Sequence, residues 1–498
     1  MATGTEPRLS SADARFFGHP RGLATLFMTE LWERFSYYGL RALLILFMTA
    51  SVASGGLGFD TVQAGAVYSL YASMGYMLCL PGGWIADRLI GQRRAVLYGG
   101  IVIAAGNFCL TLPSMSTFYL GLLLIAAGTG LLKPNVSVIV GKLYAAGDRR
   151  RDSAFSIFYM GINLGAFLSP LACGYVGQRI NWRLGFALSG AGMVLGLIQY
   201  VAGSKHLGEA GLHPGGEGTK EDVRRGYKHL LAAVAALAVL AAIIGGLHWS
   251  GAVLLTAERA SNALGVLLLV AVAALFCWLL LLGKWTVTER KRLMAIAVLF
   301  LSSALFWAMF EQAGSTLNLF AQRSTDKQLL GYSFPASWLQ SANALFIIAL
   351  APVFAWLWLR LGSRDPSSPT KFVLGLVAGG LGFSWMAIAA QRAEGGVLVS
   401  PMWLFGVYLL HTVGELCLSP VGLSAMTKLA PARVTSLLMG VWFLATSVGN
   451  YMAGRAASFY EALPLPTLFN VVGVFGVGLG VLLLLFVRPI QRLMVGVK

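Results

Sequence analysis

The chain has 498 residues, of which 57% are hydrophobic and only 11% charged, where an ordinary soluble domain carries about 25% charged residues. That balance excludes a water-solvated globule and describes a protein whose solvent is largely lipid. The net charge of +17 does not argue for a nucleic-acid partner: with both termini taken as cytoplasmic, 27 of the 37 Lys and Arg residues fall in cytoplasmic segments and seven outside, the bias of the positive-inside rule.

Runs of roughly 20 apolar residues, long enough to cross a hydrocarbon core about 30 Å thick, recur fourteen times, at 23–50, 62–86, 95–112, 117–140, 154–177, 185–202, 229–249, 262–283, 293–321, 335–360, 372–390, 397–427, 434–458 and 466–487. The 20 residues before the first run are polar, and the run itself carries charges that no signal-peptide core tolerates, so it reads as a mature helix. Within it Glu30, Glu33, Arg34, Tyr37, Tyr38 and Arg41 follow helical offsets that gather them on one face. That face must look into a wet cavity or against other helices, and Glu30 one turn from Arg34 offsets part of the burial cost.

The loop after the second run reads Gly83-Trp84-Ile85-Ala86-Asp87-Arg88-Leu89-Ile90-Gly91-Gln92-Arg93-Arg94. Its glycines allow close helix approach, and Asp87 and Arg88 are placed to bond a neighbouring helix end; Arg93 and Arg94 suit a positively charged retention loop. The fourth run holds Lys133, and the fifth holds Tyr159 and Asn163 one turn apart. A hydrophilic stretch, Lys205 to Lys228, then separates six runs from eight. The seventh and eighth runs, almost wholly Ala, Val, Leu and Ile, look peripheral, which leaves six plus six helices, the arrangement of transporters whose halves rock around a midplane site. The ninth run carries Glu311, aligned at helical spacing with Ser315 and Asn318; the twelfth carries Glu415, aligned with Ser419 and preceded one turn earlier by His411. Cys79, Cys109, Cys173, Cys277 and Cys417 all fall in apolar runs without metal-ligand spacing and read as packing residues.

A charge near the bilayer centre costs at least about 2.5 to 3.5 kcal/mol, so ionisable residues inside the runs are functional candidates. They are Glu30, Glu33, Glu311 and Glu415 among the acids and Arg34, Arg41 and Lys133 among the bases. The first half supplies all three bases and the second half Glu311 and Glu415. A basic wall facing an acidic wall suits a zwitterion whose ammonium and carboxylate lie a few residues apart, as in a short peptide.

The 83–94 loop matches the G-x-x-x-D-R-x-x-G-x-x-R signature of the major facilitator superfamily. Glu30-Leu31-Trp32-Glu33-Arg34-Phe35-Ser36-Tyr37-Tyr38-Gly39 resembles the E-x-x-E-R-F-x-Y-Y-G motif of the proton-dependent oligopeptide transporter family, and Phe158-Tyr159-Met160-Gly161-Ile162-Asn163-Leu164-Gly165 its F-Y-x-x-I-N-x-G motif, with Ala166 where many members have Ser. Gly130 to Ser137, Phe306 to Gln312 and Gly414 to Pro420 add three further blocks; Asn343-Ala344 departs from a frequent Asn-Pro.

The resemblance implies an all-α membrane protein of fourteen transmembrane helices with both termini cytoplasmic: a six-helix bundle over 1–202, a linker with two extra helices over 203–291, and a second bundle over 292–498. It further implies a multi-pass protein of a bacterial inner membrane, surrounded by lipid, that imports di- and tripeptides with protons as coupling ion and no other cofactor. Glu30, Glu33 and Arg34 would belong to proton coupling; Arg34, Arg41 and Lys133 would meet the peptide carboxylate, and Glu415 and Asn343 its ammonium. Tyr37, Tyr38, Tyr76, Asn163, Trp307, Ser419 and Trp442 would line the pocket, and Glu311 would exchange partners with Arg41 or Lys133 as a gate closes. A related proton symporter for nitrate, amino acids or peptide-like drugs is the alternative. A membrane-embedded hydrolase is disfavoured, since there is no G-x-S-x-G or H-E-x-x-H motif, and no metal site is expected.

Overall fold

A computed structural model describes residues 16–145, 148, 150–214, 220–329, 331–431 and 434–497. Of the basic residues counted above, Arg8, Arg15, Arg149, Arg433 and Lys498 lie outside the described residues. The chain forms fourteen long helical rods: α1 (Arg21–Thr49), α2 (Thr61–Met77, continuing as Cys79–Ile85), α3 (Gln92–Cys109), α4 (Met115–Lys142), α5 (Arg150–Tyr175), α6 (Trp182–Gly203), α7 (Lys220–Trp249), α8 (Ala257–Cys277), α9 (Val287–Phe310), α10 (Ser341–Leu361), α11 (Ser368–Arg392), α12 (Met402–Leu429), α13 (Thr435–Ala457) and α14 (Leu465–Leu493). Among the described residues, eleven of these helices are long and apolar enough to cross a membrane. The other three are α1, with its charged face, α2, which is interrupted at Leu78, and α3, which opens with Arg93 and Arg94.

Local chemistry sets the helix ends. The Asp60 carboxylate accepts from the Gln63 N–H at the start of α2, and Thr286 and Glu289 form a reciprocal capping box at the start of α9. Between helices, small residues bring backbones together where lipid supplies no hydrophobic drive. A Cβ on Gly165 of α5 would sit 2.3 Å from the Leu31 carbonyl of α1, and one on Gly99 of α3 would sit 2.7 Å from the Gly128 carbonyl of α4.

The ninth rod departs from a simple helix. After Phe310 the chain tightens into a 3₁₀ turn, Glu311–Gly314, breaks at Ser315 (φ −125°, ψ −94°) and resumes as Thr316–Arg323. The helical alignment of Glu311 with Ser315 and Asn318 is therefore lost. Ser315 instead donates to the Ala453 carbonyl of α13 at 3.0 Å, and Asn318 donates to the Ala42 carbonyl of α1 at 2.9 Å, so both tie helices together rather than line a cavity.

α7 buries none of its apolar window and α8 little. α8 touches the rest through Ser261, whose hydroxyl lies 2.7 Å from that of Ser69 on α2, and through Gly265, which lies against Tyr451 of α13. Cys79, Cys173 and Cys417 are buried as packing residues, but Cys109 is half-buried and Cys277 is exposed on α8; a cysteine on a peripheral helix has no core to enter.

Asp87 accepts from Gln92 at 2.6 Å, and Gln92 in turn accepts from Lys142 of α4 at 3.0 Å. Arg88 is exposed and makes no such bond among the described residues. The tie to a distant segment comes from Arg93, which the sequence assigned to charge alone: its guanidinium donates to the Ala210 carbonyl at 2.8 Å and also reaches the Gly208 carbonyl.

Candidate substrate site

Three groups of intramembrane charge emerge from the helices. The first is internal to α1. The Arg34 guanidinium is shared between two carboxylates of its own helix, donating to Glu33 through both Nε and Nη2 (2.7 Å for the latter) and lying 3.3 Å from Glu30. All three are almost fully buried, and the second Glu30 oxygen has no hydrogen-bond partner. Arg34 also sits 4.8 Å above the Tyr37 ring, a cation–π contact that holds the guanidinium against its own helix face.

The second group crosses between the helices of the two halves. Arg41 of α1 pairs with Glu311, Nη2 to Oε2 at 2.9 Å, in the turn that breaks the ninth rod. Gly314 makes room for it: a Cβ there would fall 2.0 Å from the Tyr68 hydroxyl and 2.7 Å from Arg41 Nε. Other bonds between the halves gather at the same end or near mid-depth. Gln178 and Arg179 bond Gln322 and Ser333, Trp338 donates to the Leu171 carbonyl, Ser341 to the Phe167 carbonyl, Ser458 to the Val62 carbonyl, and Ser73 and Ser447 bond each other. That end is sealed.

The third group consists of the two charges left without an ion-pair partner among the described residues, Lys133 and Glu415. Lys133 Nζ lies 3.8 Å from the Tyr76 ring centroid and 5.9 Å from that of Tyr37. Glu415 accepts from Asn343 of α10 at 3.4 Å and lies beside the Tyr159 side chain of α5. The charged neighbours of Lys133 are Arg34, Glu33 and Glu30, whereas those of Glu415 are Glu311 and Arg41. Lys133 thus lies in a neighbourhood whose charges, with Arg34, Glu30 and Glu33, sum to zero, whereas Glu415 gives its own, with Arg41 and Glu311, one net negative charge.

This redraws the two-wall arrangement that the sequence suggests. Arg34 and Arg41 are engaged by carboxylates, so in this structure Lys133 is the base left open. Asn163 donates to the Tyr159 backbone carbonyl at 2.9 Å, while the Tyr159 side chain lies near Glu415. Trp307 packs edge-on against Phe310 at 5.2 Å, with Gly449 behind it, and Trp442 packs over Gly422. Ser419 is half-buried at the next turn below Glu415.

Gln340, Tyr408 and Thr412, which sequence reasoning passed over, also enter. A small cavity of about 10 Å³, room for a single water, is lined by Tyr38, Arg41, Gln340, Asn343, Tyr408 and His411 among others, and Thr412 accepts from Asn343 at 2.9 Å. The signal was present in the spacing of Tyr408, Thr412 and Glu415, which share one face of α12.

The POT family profile matches residues 93–471. The peptide transporter YePEPT of Yersinia enterocolitica is 42% identical over 494 residues, covering 96% of each chain, and the di-/tripeptide transporter of Lactococcus lactis subsp. cremoris is 36% identical, covering 98% of this chain and 99% of its own. A crystal structure of the peptide transporter POT in complex with sulfate superimposes with a TM-score of 0.91 at 44% identity, covering 97% of both chains. With the motifs of α1, α5, α9 and α12 arranged around one site and a match along nearly its whole length, the chain belongs to the POT family of membrane transporters.

Proposed function

We propose that the protein is a proton-coupled symporter that imports di- and tripeptides by alternating access. The observation that carries this reading is the pair of charges without an ion-pair partner among the described residues, Lys133 and Glu415, in separate neighbourhoods of one helix bundle. An extended chain spans about 3.3 to 3.6 Å per residue, so the termini of a dipeptide or tripeptide lie about 7 to 11 Å apart. Lys133 takes the carboxylate; Glu415, with Asn343, takes the ammonium. Contacts to the termini alone leave side-chain identity largely open. The names of the Yersinia and Lactococcus relatives support the same cargo.

The proton acts on the carboxylates that hold Arg34 and Arg41. Protonation of Glu30 or Glu33 weakens the hold on Arg34 and frees it for the peptide carboxylate; protonation of Glu311 frees Arg41 and loosens the sealed end. Proton and peptide then bias one equilibrium between access states. The positive-inside bias supports both termini in the cytoplasm and the sealed end outside; 1–202 and 292–498 are then the moving halves, with α7 and α8 between them, in a bacterial inner membrane. At about 2.3 kcal/mol per charge per 100 mV, one proton sustains roughly a 50-fold gradient of a net-neutral peptide. The test is Ala-Ala uptake by proteoliposomes with an imposed potential and pH gradient. Accumulation that disappears when both are collapsed is expected, and accumulation unchanged by collapse sinks proton coupling.

A further inference from the structure

The end of α10 away from the seal carries positive charge that no carboxylate answers. Arg360 lies 4.9 Å over the ring of Trp356, one turn earlier, and Arg364 follows where the chain turns at Gly362 (φ +51°). Both arginines are exposed, and neither has an ion-pair partner among the described residues. Asp365, the carboxylate next in the chain, is taken by Lys371 of α11 at 2.8 Å, whose ammonium sits 4.3 Å over the Trp358 ring. Apolar surface adjoins the two open charges. Val353, Trp356 and Leu359 are 49%, 54% and 83% exposed, and with Arg360 they occupy about a third of the helix circumference. Because Ala336–Leu361 is long and apolar enough to cross a membrane, this flank meets acyl chains where the span ends and headgroups begin.

We infer that this patch binds one anionic glycerophospholipid, its phosphate held by Arg360 and Arg364 and its acyl chains lying along Val353, Trp356 and Leu359. A guanidinium stacked on an indole keeps its in-plane N–H groups free, and that fork matches two phosphate oxygens. Arg364 supplies the second charge, and basic residues beside a membrane surface attract anionic lipid. A zwitterionic phospholipid suits the patch less well, because its cationic group finds Asp365 already engaged by Lys371. A free phosphate makes no use of the three exposed apolar side chains. The bound lipid tethers the far end of α10, the helix that brings Asn343 to Glu415.

The experiment is native mass spectrometry of the delipidated full-length protein, titrated with phosphatidylglycerol or with phosphatidylcholine of matched chains. The tightest site of the wild-type protein should favour phosphatidylglycerol by about 10-fold or more. A basic residue near an anionic headgroup is worth about 5-fold in affinity, so Arg360→Gln and Arg364→Gln should each weaken that step by about 5-fold and the double variant by at least about 10-fold. Lys291→Gln, at another exposed basic position, should change it by less than about 2-fold. Equal affinity for the two lipids, phosphatidylglycerol binding that the double variant preserves, or an equal loss in Lys291→Gln overturns the inference. Full displacement of the lipid by millimolar inorganic phosphate also overturns it, since the patch is then a site for soluble anions.

Discussion

Adding one methyl group at Gly314 tests the sealed end. An alanine Cβ at this position falls 2.0 Å from the Tyr68 hydroxyl, 2.7 Å from Arg41 Nε and 2.9 Å from Arg41 Cγ. Carbon and oxygen do not approach that closely, so both side chains must move by an ångström or more, and the 2.9 Å contact between Arg41 and Glu311 opens. Overpacking costs typically 1 to 3 kcal/mol, and losing a partner of a buried ion pair about 3 to 5 kcal/mol. Allowing that the pair is stretched rather than lost, about 2 kcal/mol is withdrawn from the closed arrangement, an increase of roughly 30-fold in the ratio of open to closed. The reporter is Ser337→Cys, buried at this end beside the Gln178 side chain, in a background with Cys277→Ser to remove the exposed thiol. Labelling by a membrane-impermeant maleimide should accelerate at least about 10-fold in Gly314→Ala. Because the Tyr68 hydroxyl is the nearest obstacle, adding Tyr68→Phe should recover a large part of the protection. Unchanged labelling in the single variant, or no recovery in the double, refutes the claim that this glycine keeps the ion pair closed.

Arg34→Lys should reduce proton-driven Ala-Ala uptake by about 100-fold or more, since an ammonium replaces neither the two-nitrogen hold on Glu33 nor the contact with Glu30; uptake within a few-fold of wild type contradicts a role for that geometry. Asn343→Ala removes a donor to Glu415 and to Thr412 and should raise the half-saturating Ala-Ala concentration by about 5- to 10-fold, read from uptake curves, for a hydrogen bond to a charged group of roughly 1.5 kcal/mol or slightly less. Outside the membrane spans, His19 is packed with its Nδ1 2.9 Å from the Tyr144 hydroxyl and its Nε2 3.3 Å from that of Ser153. Burial, and then the charge of Arg150, push its pKa below the usual 6.5. In that case the unfolded chain binds a proton that the folded one refuses, so this part of the stability is full above about pH 6.5 and is lost as pH falls through the lower folded value. The pH dependence of thermal unfolding between 7.5 and 5.5 should therefore flatten in His19→Gln, and an identical slope in both proteins would exclude the histidine as its source.

Much of the helical framework was legible because its causes are local. Lipid solvent demands about 20 apolar residues per crossing and internal satisfaction of the backbone, so each run announces a helix wherever it packs. All fourteen expected runs correspond to rods, and most ends lie within a few residues of those expected. The errors arise where the backbone leaves the helix. In Glu311 to Asn318 only Gly314 hints at the break at Ser315, and a single glycine is tolerated inside a helix; the 3₁₀ turn answers also to tertiary demands, the Arg41 pairing and the Ser315 bond to Ala453. Local pattern cannot contain a constraint supplied by another helix.

The same distinction governs the site. That seven charges lie inside the apolar runs could be read directly, and so could the Glu30–Arg34 pair one turn apart; the resemblance offered Glu311 either Arg41 or Lys133, and the choice between them depends on helix rotation and depth. Arg34 looked like part of a substrate wall and is bound within α1; Arg41 and Glu311, far apart in the chain, meet. Once these pairs are removed, Lys133 and Glu415 remain, and the electrostatic problem changes character. A site with three free bases would bind any anion, whereas a single open cation and a single open anion in separate neighbourhoods favour a ligand bearing both charges at a set distance. On the proposed function, selectivity for short zwitterions follows less from the number of charges than from which of them the protein has already paired for itself.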